Sequence, residues 1–286
     1  MGNRALVLTC KTTGEPKLLE RVERIENLPV PSNTFFKLRQ TAREQNVDLR
    51  RLAVVIEEKP ALAANLVKIA NTAYFDRAKR VDSIEEVIHV MGVKAVIDMV
   101  LTLELVRGFG LPKGLDIERY WDHAAAVAML AEDLTAAGET EKKTAYEAGL
   151  LHDLGLLMMA RFFPVEFKLL VGQLESGGTV YETMPALFGC SHIDLSVALA
   201  RRWGLEPELI RSMTDLAKTK AQSEITDDPI ALVVRRAHRI AEVNRYAFYW
   251  DTIADSSVST EFIGIGDSQY DFASGIGGAL LGLVSK

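Results

Sequence analysis

Cysteine is nearly missing from this chain of 286 residues, which has only Cys10 and Cys190. One bridge at most could form, so a disulfide framework is excluded and a reducing compartment is expected. No spacing resembles a cysteine zinc site. Long uncharged apolar runs are absent too, and no stretch approaches the ~18 residues of a membrane-spanning helix. The apolar tail at 273–284 is short and rich in glycine, and the run after Met1 is too short for a signal peptide. A cytoplasmic setting without membrane contact is the expectation. A basic excess is also lacking: 33 Lys and Arg stand against 39 Asp and Glu, a net charge of −6. Nucleic-acid-binding domains usually carry the opposite sign, so a nucleic-acid partner is not expected. The Arg235-Arg236-His238-Arg239 run reads as a solvated helix face. Gly-x-Ser-x-Gly, a phosphate loop and a dinucleotide fingerprint are all missing.

What remains is an ordinary globular composition, 48% apolar and 25% charged. Strand alternation is nearly absent, and apolar residues recur at spacings of three and four, which predicts an all-α fold. Residues 5–8 read as a short strand or a loose end. Leu28-Pro29-Val30-Pro31 is a stiff, extended break. Helices are then predicted from Ser32 to Gln45, from Asp48 to Lys59, and from Pro60 to about Tyr74. Ser83-Ile84-Glu85-Glu86 is a capping box, Gly92 stops that helix, and another runs to Arg107. Three Gly and Pro112 in 108–114 mark a boundary between two helical halves. In the second half, helices are predicted over 116–137, 141–163, 164–175, 179–187, 191–203, 206–217 and 228–246, with a last one from Asp267. This gives an N-terminal segment at 1–27, helical halves at 28–110 and 111–247, and an extension at 248–286.

Chemistry concentrates in Gly149-Leu150-Leu151-His152-Asp153-Leu154-Gly155. Read as one apolar helix, it points both His152 and Asp153 into packed surroundings. A buried carboxylate without a partner costs several kcal/mol, so Asp153 needs a cation, a hydrogen-bond network or a metal. His123 lines up with Ala126, Val127 and Leu130 on the preceding helix and should also face the core. His238 follows on a later helix, and His192 near a helix start, as a cap or surface residue or as a further metal ligand. His89, between Ile88 and Val90, reads as a core histidine bonded to backbone. Imidazole with carboxylate suits iron, manganese, zinc or nickel. The residues alone leave two readings open: a metal site, or a buried polar network without metal.

Taken together, these motifs resemble the HDOD family, relatives of the HD phosphohydrolases in bacterial signalling. The likeness is carried by Leu28-Pro29-Val30-Pro31, by Leu66-Val67-Lys68-Ile69-Ala70-Asn71-Thr72-Ala73-Tyr74, and by Met91-Gly92-Val93-Lys94. In the second half it is carried by Trp121-Asp122-His123, His152-Asp153-Leu154-Gly155 and Arg202-Trp203-Gly204-Leu205. It implies two packed helical halves, the second an HD-like bundle. It also implies metal-ligand positions at His123, His152 and Asp153. A further Asp is expected where the chain reads Ala237-His238, which keeps a donor and changes the charge. His192, in Phe188-Gly189-Cys190-Ser191-His192, matches another family histidine. Leu156 stands where active relatives carry Lys, and Met213-Thr214 where they carry paired histidines; Asp215 is the nearest substitute. The resemblance therefore implies no catalytic residues, one weakly held transition ion at most, and a signalling module that acts through protein partners. The helix at 60–75, with Tyr74 and Phe75, is a candidate partner surface. The alternative is a single-metal phosphohydrolase of a nucleotide or phosphoester, with His123, His152, Asp153 and His238 as ligands.

Overall fold

The computed structural model describes residues 17–41, 47–71, 80–218 and 226–242. Among these no strand occurs. The first half holds α1 (Leu18–Glu23), α2 (Asn33–Thr41), α3 (Leu49–Glu57), α4 (Pro60–Ala70), α5 (Ile84–Met91) and α6 (Val93–Phe109). The second holds α7 (Ile117–Leu134), α8 (Glu139–Leu151), α9 (Leu154–Phe162) and α10 (Pro164–Glu175). It continues with α11 (Val180–Phe188), α12 (His192–Arg202), α13 (Pro207–Lys218) and α14 (Pro229–Ala241). The predicted residues 5–8, Tyr74, Phe75, the extension at 248–286 and the helix from Asp267 lie outside the described residues.

Most helix starts follow local chemistry. Asp48 accepts from the backbone N–H groups of Arg50 and Arg51, and Pro60 opens α4. Gly92 separates α5 from α6 at φ +84°, a conformation that glycine adopts without strain. Some starts and stops differ from expectation, and α4 stops at Ala70 rather than about Tyr74. The Ser32 hydroxyl is bonded to the Glu104 carboxylate of α6. The Ser83 hydroxyl accepts from the Glu86 N–H at 3.2 Å as expected, while the Glu86 carboxylate returns to the Asp82 N–H at 3.0 Å, one residue early. Helix α7 ends at Leu134, because Thr135 is extended and its hydroxyl bonds the Ala131 carbonyl at 2.7 Å.

Helix α6 is the spine. It is buried on nearly every side from Val96 to Phe109, as expected of a helix apolar all round. Helices α2, α4 and α5 pack on it from the first half, α8 and α9 from the second. In the second half α7, α8 and α14 pack mutually, while α12 joins α9 to α13. Helix α1 was not foreseen; it packs on α12. The Arg202 guanidinium donates to the carbonyls of Val22, Glu23 and Ile25, and the Trp203 indole to that of Pro29 at 2.8 Å.

Charges also cross the seam. Arg39 of α2, 5% exposed, meets Glu147 of α8 at 3.0 Å and also pairs with Glu206. Burial outweighs the nearby Arg39 and Lys143 and pushes the Glu147 carboxyl from 4.5 up to about 7. The folded protein thus holds a proton that the unfolded chain has already released. Stability contributed this way is present below 4.5 and is lost as pH rises through about 7. Between about pH 5 and about pH 8 the parent should lose on the order of 3 kcal/mol more stability than Glu147→Gln, as read by urea denaturation. Parallel pH profiles for the two proteins would contradict this assignment.

Helix-to-helix distance is set by glycine at two places. A Cβ on Gly155 of α9 would collide with the His192 carbonyl oxygen and stand 2.8 Å from Leu195 Cβ of α12. Helix propensity alone would favour Gly155→Ala by ~1 kcal/mol. The overpacking should outweigh this and destabilise the protein by ~1–3 kcal/mol. A raised denaturation midpoint would show that α9 and α12 can separate freely.

Candidate metal centre

The centre begins with small residues. Ala124, Ala125, Ala128 and Ala131 are buried on α7, facing a partner helix that carries Ala145, Ala148 and Gly149. A Cβ on Gly149 would stand 2.7 Å from Ala128 Cα, so the two backbones nearly touch. This approach brings His123 Nε2 within 3.4 Å of His152 Nε2.

The His152-Asp153 pair lies at a break between α8 and α9, not inside one helix over 141–163. Asp153 has φ −98° and ψ 6°, in the sparsely populated bridge region. The hydroxyl of Ser196 on α12 donates to the His152 carbonyl and accepts from the Gly155 N–H, both at 2.8 Å. These groups are thereby satisfied without a continuous helical ladder. The break turns the Asp153 carboxylate toward three imidazoles. Its Oδ2 stands 3.2 Å from His152 Nε2 and 3.4 Å from His123 Nε2, and its Oδ1 3.2 Å from His192 Nε2.

Two tautomers follow from the partners. His152 Nδ1 lies 2.7 Å from the Gly149 carbonyl, which can only accept, so Nδ1 carries the hydrogen. His238 Nε2 lies 3.2 Å from the Glu242 carboxylate and likewise donates. Tyr181 Oη is 3.3 Å from the same nitrogen. The remaining nitrogens, His152 Nε2 and His238 Nδ1, then face each other at 3.0 Å with a lone pair each. A second proton on His152, which makes Nε2 a donor to the Asp153 carboxylate and to His238 Nδ1, or a cation at this point relieves the contact. Burial would lower His152, but the Asp153 carboxylate outweighs it and raises the imidazole above its usual value. Burial, helped by His123 and His152, lowers His238. Burial would raise Asp153; His152, with hydrogen bonds from His123, His152 and His192, overrides this and holds it well below the carboxylate range.

The donor set fits a metal. One ligand atom each from His123, His152, Asp153 and His238 lies within 4.8 Å of every other. Ligands ~2.0–2.2 Å from a tetrahedral ion stand roughly 3.3–3.6 Å apart. The measured separations around His152 Nε2, 3.0 to 3.4 Å, are close to that. The Gly149 carbonyl and Glu242 orient two imidazoles from behind, as outer partners of metal-bound histidines do.

Four of the five candidate ligands, His123, His152, Asp153 and His238, therefore converge, while the fifth, His192, reaches only Asp153. His192 is neither cap nor surface: Ser191 caps α12, and His192, 1% exposed, touches Asp153. It approaches because Gly155 has no side chain. His89 is exposed rather than buried, since its helical neighbours are Glu85, Glu86 and Gly92. Met213 is buried, and Asp215 pairs with Lys218 at 2.7 Å on α13. Sequence reasoning missed Glu242, Tyr181 and Ser196. Only Glu242 left a local signal, one helical turn beyond His238.

The family model of the HDOD domain matches residues 28–218. The chain belongs to the HDOD family. An HDOD domain protein with unknown function from Geobacter sulfurreducens has a similar fold, with TM-score 0.70 and 21% identity over 93% of this chain and 94% of that one. A Shewanella amazonensis protein described as a candidate phosphohydrolase gives TM-score 0.64 and 17% identity over 93% of each chain. At these identities the likeness speaks for the HD-like helical fold. An uncharacterized protein of Treponema pallidum is 24% identical over 196 residues. That match takes in 67% of this HDOD chain and only 38% of the Treponema protein. No single helix among the described residues is long and apolar enough to cross a membrane.

Removing one member of this centre strands the others in a buried site. Asp153→Ala and His152→Ala should each destabilise the fold by ~2–4 kcal/mol. Thermal melting of the two variants measures this, and unchanged midpoints in both would mean that the pair is solvated.

Proposed function

We propose that this HDOD chain is a cytoplasmic signal-transduction module that works through protein partners. In this reading its histidine–aspartate centre holds one weakly bound transition ion at most and turns over no substrate. The closure of the centre carries the reading. His123, His152, Asp153, His192 and His238 are all buried, His238 the most exposed at 5%. Structural sites are closed by four protein ligands, whereas catalytic sites keep a position open for water or substrate.

His123, His152, Asp153 and His238 would hold the ion, with His192 behind Asp153. Iron, manganese, zinc and nickel all suit imidazole with carboxylate. The ion would supply the positive charge that the facing lone pairs of His152 and His238 require. Three neutral imidazoles and one carboxylate leave a divalent site at net +1, and Glu242 behind His238 supplies a further negative charge. His238 thus serves where the family resemblance implies Asp, with a carboxylate one turn further on. The four-donor geometry, with the likeness to the Shewanella protein, also favours a second reading, a single-metal phosphohydrolase of a nucleotide or phosphoester.

Metal analysis of protein purified without chelator, joined to an assay on nucleotides and cyclic dinucleotides, separates the two. Less than one ion per chain and no hydrolysis above background are expected. Occupancy should fall below about pH 6.5 as the imidazoles take up protons. Sustained turnover that is lost in His152→Ala would overturn the non-catalytic reading.

A further inference from the structure

Helix α11 lies against one edge of the histidine centre. Its Tyr181 is half-buried, and the ring stands edge-on to His192 with centroids 5.0 Å apart. The same ring meets His238 at 6.1 Å and places Oη 3.3 Å from His238 Nε2. His192 and His238 are themselves buried. Tyr181 thus runs from solvent to the centre and covers both imidazoles on that side.

The helix that carries Tyr181 is lightly held. It has nine residues and lies between Gly177 at φ +95° and Gly189 at φ +72°. Glycine enters and leaves this region without strain, so the chain can pivot at both ends. Pro185 sits inside α11. It has no N–H for the Tyr181 carbonyl four residues back, so the helical ladder lacks a bond at the residue that covers the centre. Val180, Thr183 and Met184 are the buried residues of α11, which packs on α10 and only slightly on α12. A short element with few buried side chains opens at a lower free energy than the body of its domain.

We infer that α11 is a gate: it swings out on Gly177 and Gly189, withdraws the Tyr181 ring and admits water and small solutes to His192 and His238. The Glu242 carboxylate, 3.2 Å from His238 Nε2, favours a cation over an anion on this path. The inference rests on the ion reading only for what passes, because opening is a property of the metal-free chain. A centre covered in this way exchanges its ion at the rate at which α11 opens.

Diethyl pyrocarbonate, which acylates the free nitrogen of a neutral imidazole, tests the gate on the metal-free full chain at about pH 7.5. Peptide mass spectrometry locates the labelled histidines. His192 is the reporter: its Nε2 faces the Asp153 carboxylate at 3.2 Å, and its buried Nδ1 has no hydrogen-bond partner and reacts once the reagent reaches it. Exposed His89 is the internal standard. Relative to His89, His192 should label about tenfold faster in Tyr181→Ala than in the parent, because the cover is gone without any opening. Tyr181→Phe keeps the ring and should label at the parent rate. Pro185→Ala, at an exposed position, restores the missing ladder bond and should slow His192 about fivefold, the worth of one hydrogen bond. Misfolding cannot produce that gain in protection. Zinc added to the metal-free chain should be taken up in the same order of rates. If no variant takes up zinc, the ion reading fails and the labelling still decides the gate. Equal labelling of His192 in the parent and Tyr181→Ala, or no slowing in Pro185→Ala, would overturn the inference.

Discussion

Two imidazole nitrogens, each with its lone pair forward, face one another at 3.0 Å in the interior of this protein. Their outer nitrogens are already committed to the Gly149 carbonyl and the Glu242 carboxylate, so neither ring can turn to relieve the contact. The contact is relieved once His152 takes a second proton, which the Asp153 carboxylate at 3.2 Å favours, or once a cation sits at the same point. Asp153 makes that tolerable by lying against the same point, and the helix break at residues 152–153 exists where Asp153 must be aimed. The bareness of Gly149 and Gly155 then reads as a condition for bringing α7 and α12 close enough to complete the arrangement.

The seam between the halves applies the same physics with the opposite outcome. At the histidine centre, donors converge on one point and buried charge is neutralised locally. Around Arg39 burial outweighs the nearby cations, and Glu147 holds its proton up to about pH 7. One region is closed and the other opens into a cleft.

How much of this was legible in the sequence depended on the range of the interactions. His123, His152, Asp153 and His238 could be read because each sits in an apolar helical pattern that only burial explains. The all-helical fold followed from the same periodicity. The break after Leu151 could not be read, because its cause is a hydroxyl on Ser196, more than forty residues away. His192 was misplaced for the same reason: its burial depends on the missing side chain of Gly155. His89 was misjudged through its immediate neighbours Ile88 and Val90, although residues one apart do not share a helix face. Helix α1 went unnoticed because its support is the side chain of Arg202.

That support bears on the order in which the chain acquires its structure. Arg202 grips carbonyls of residues 22 and 23, some 180 positions earlier, and Trp203 holds Pro29. Contacts of such sequence separation form late, because the intervening loop must first be closed. During synthesis, α1 emerges well before α12 and waits for nearly two hundred further residues before its binding surface exists. Helix α1 is thus completed by a helix far along the chain, and a nascent first half is an unfinished object however well its own helices are capped.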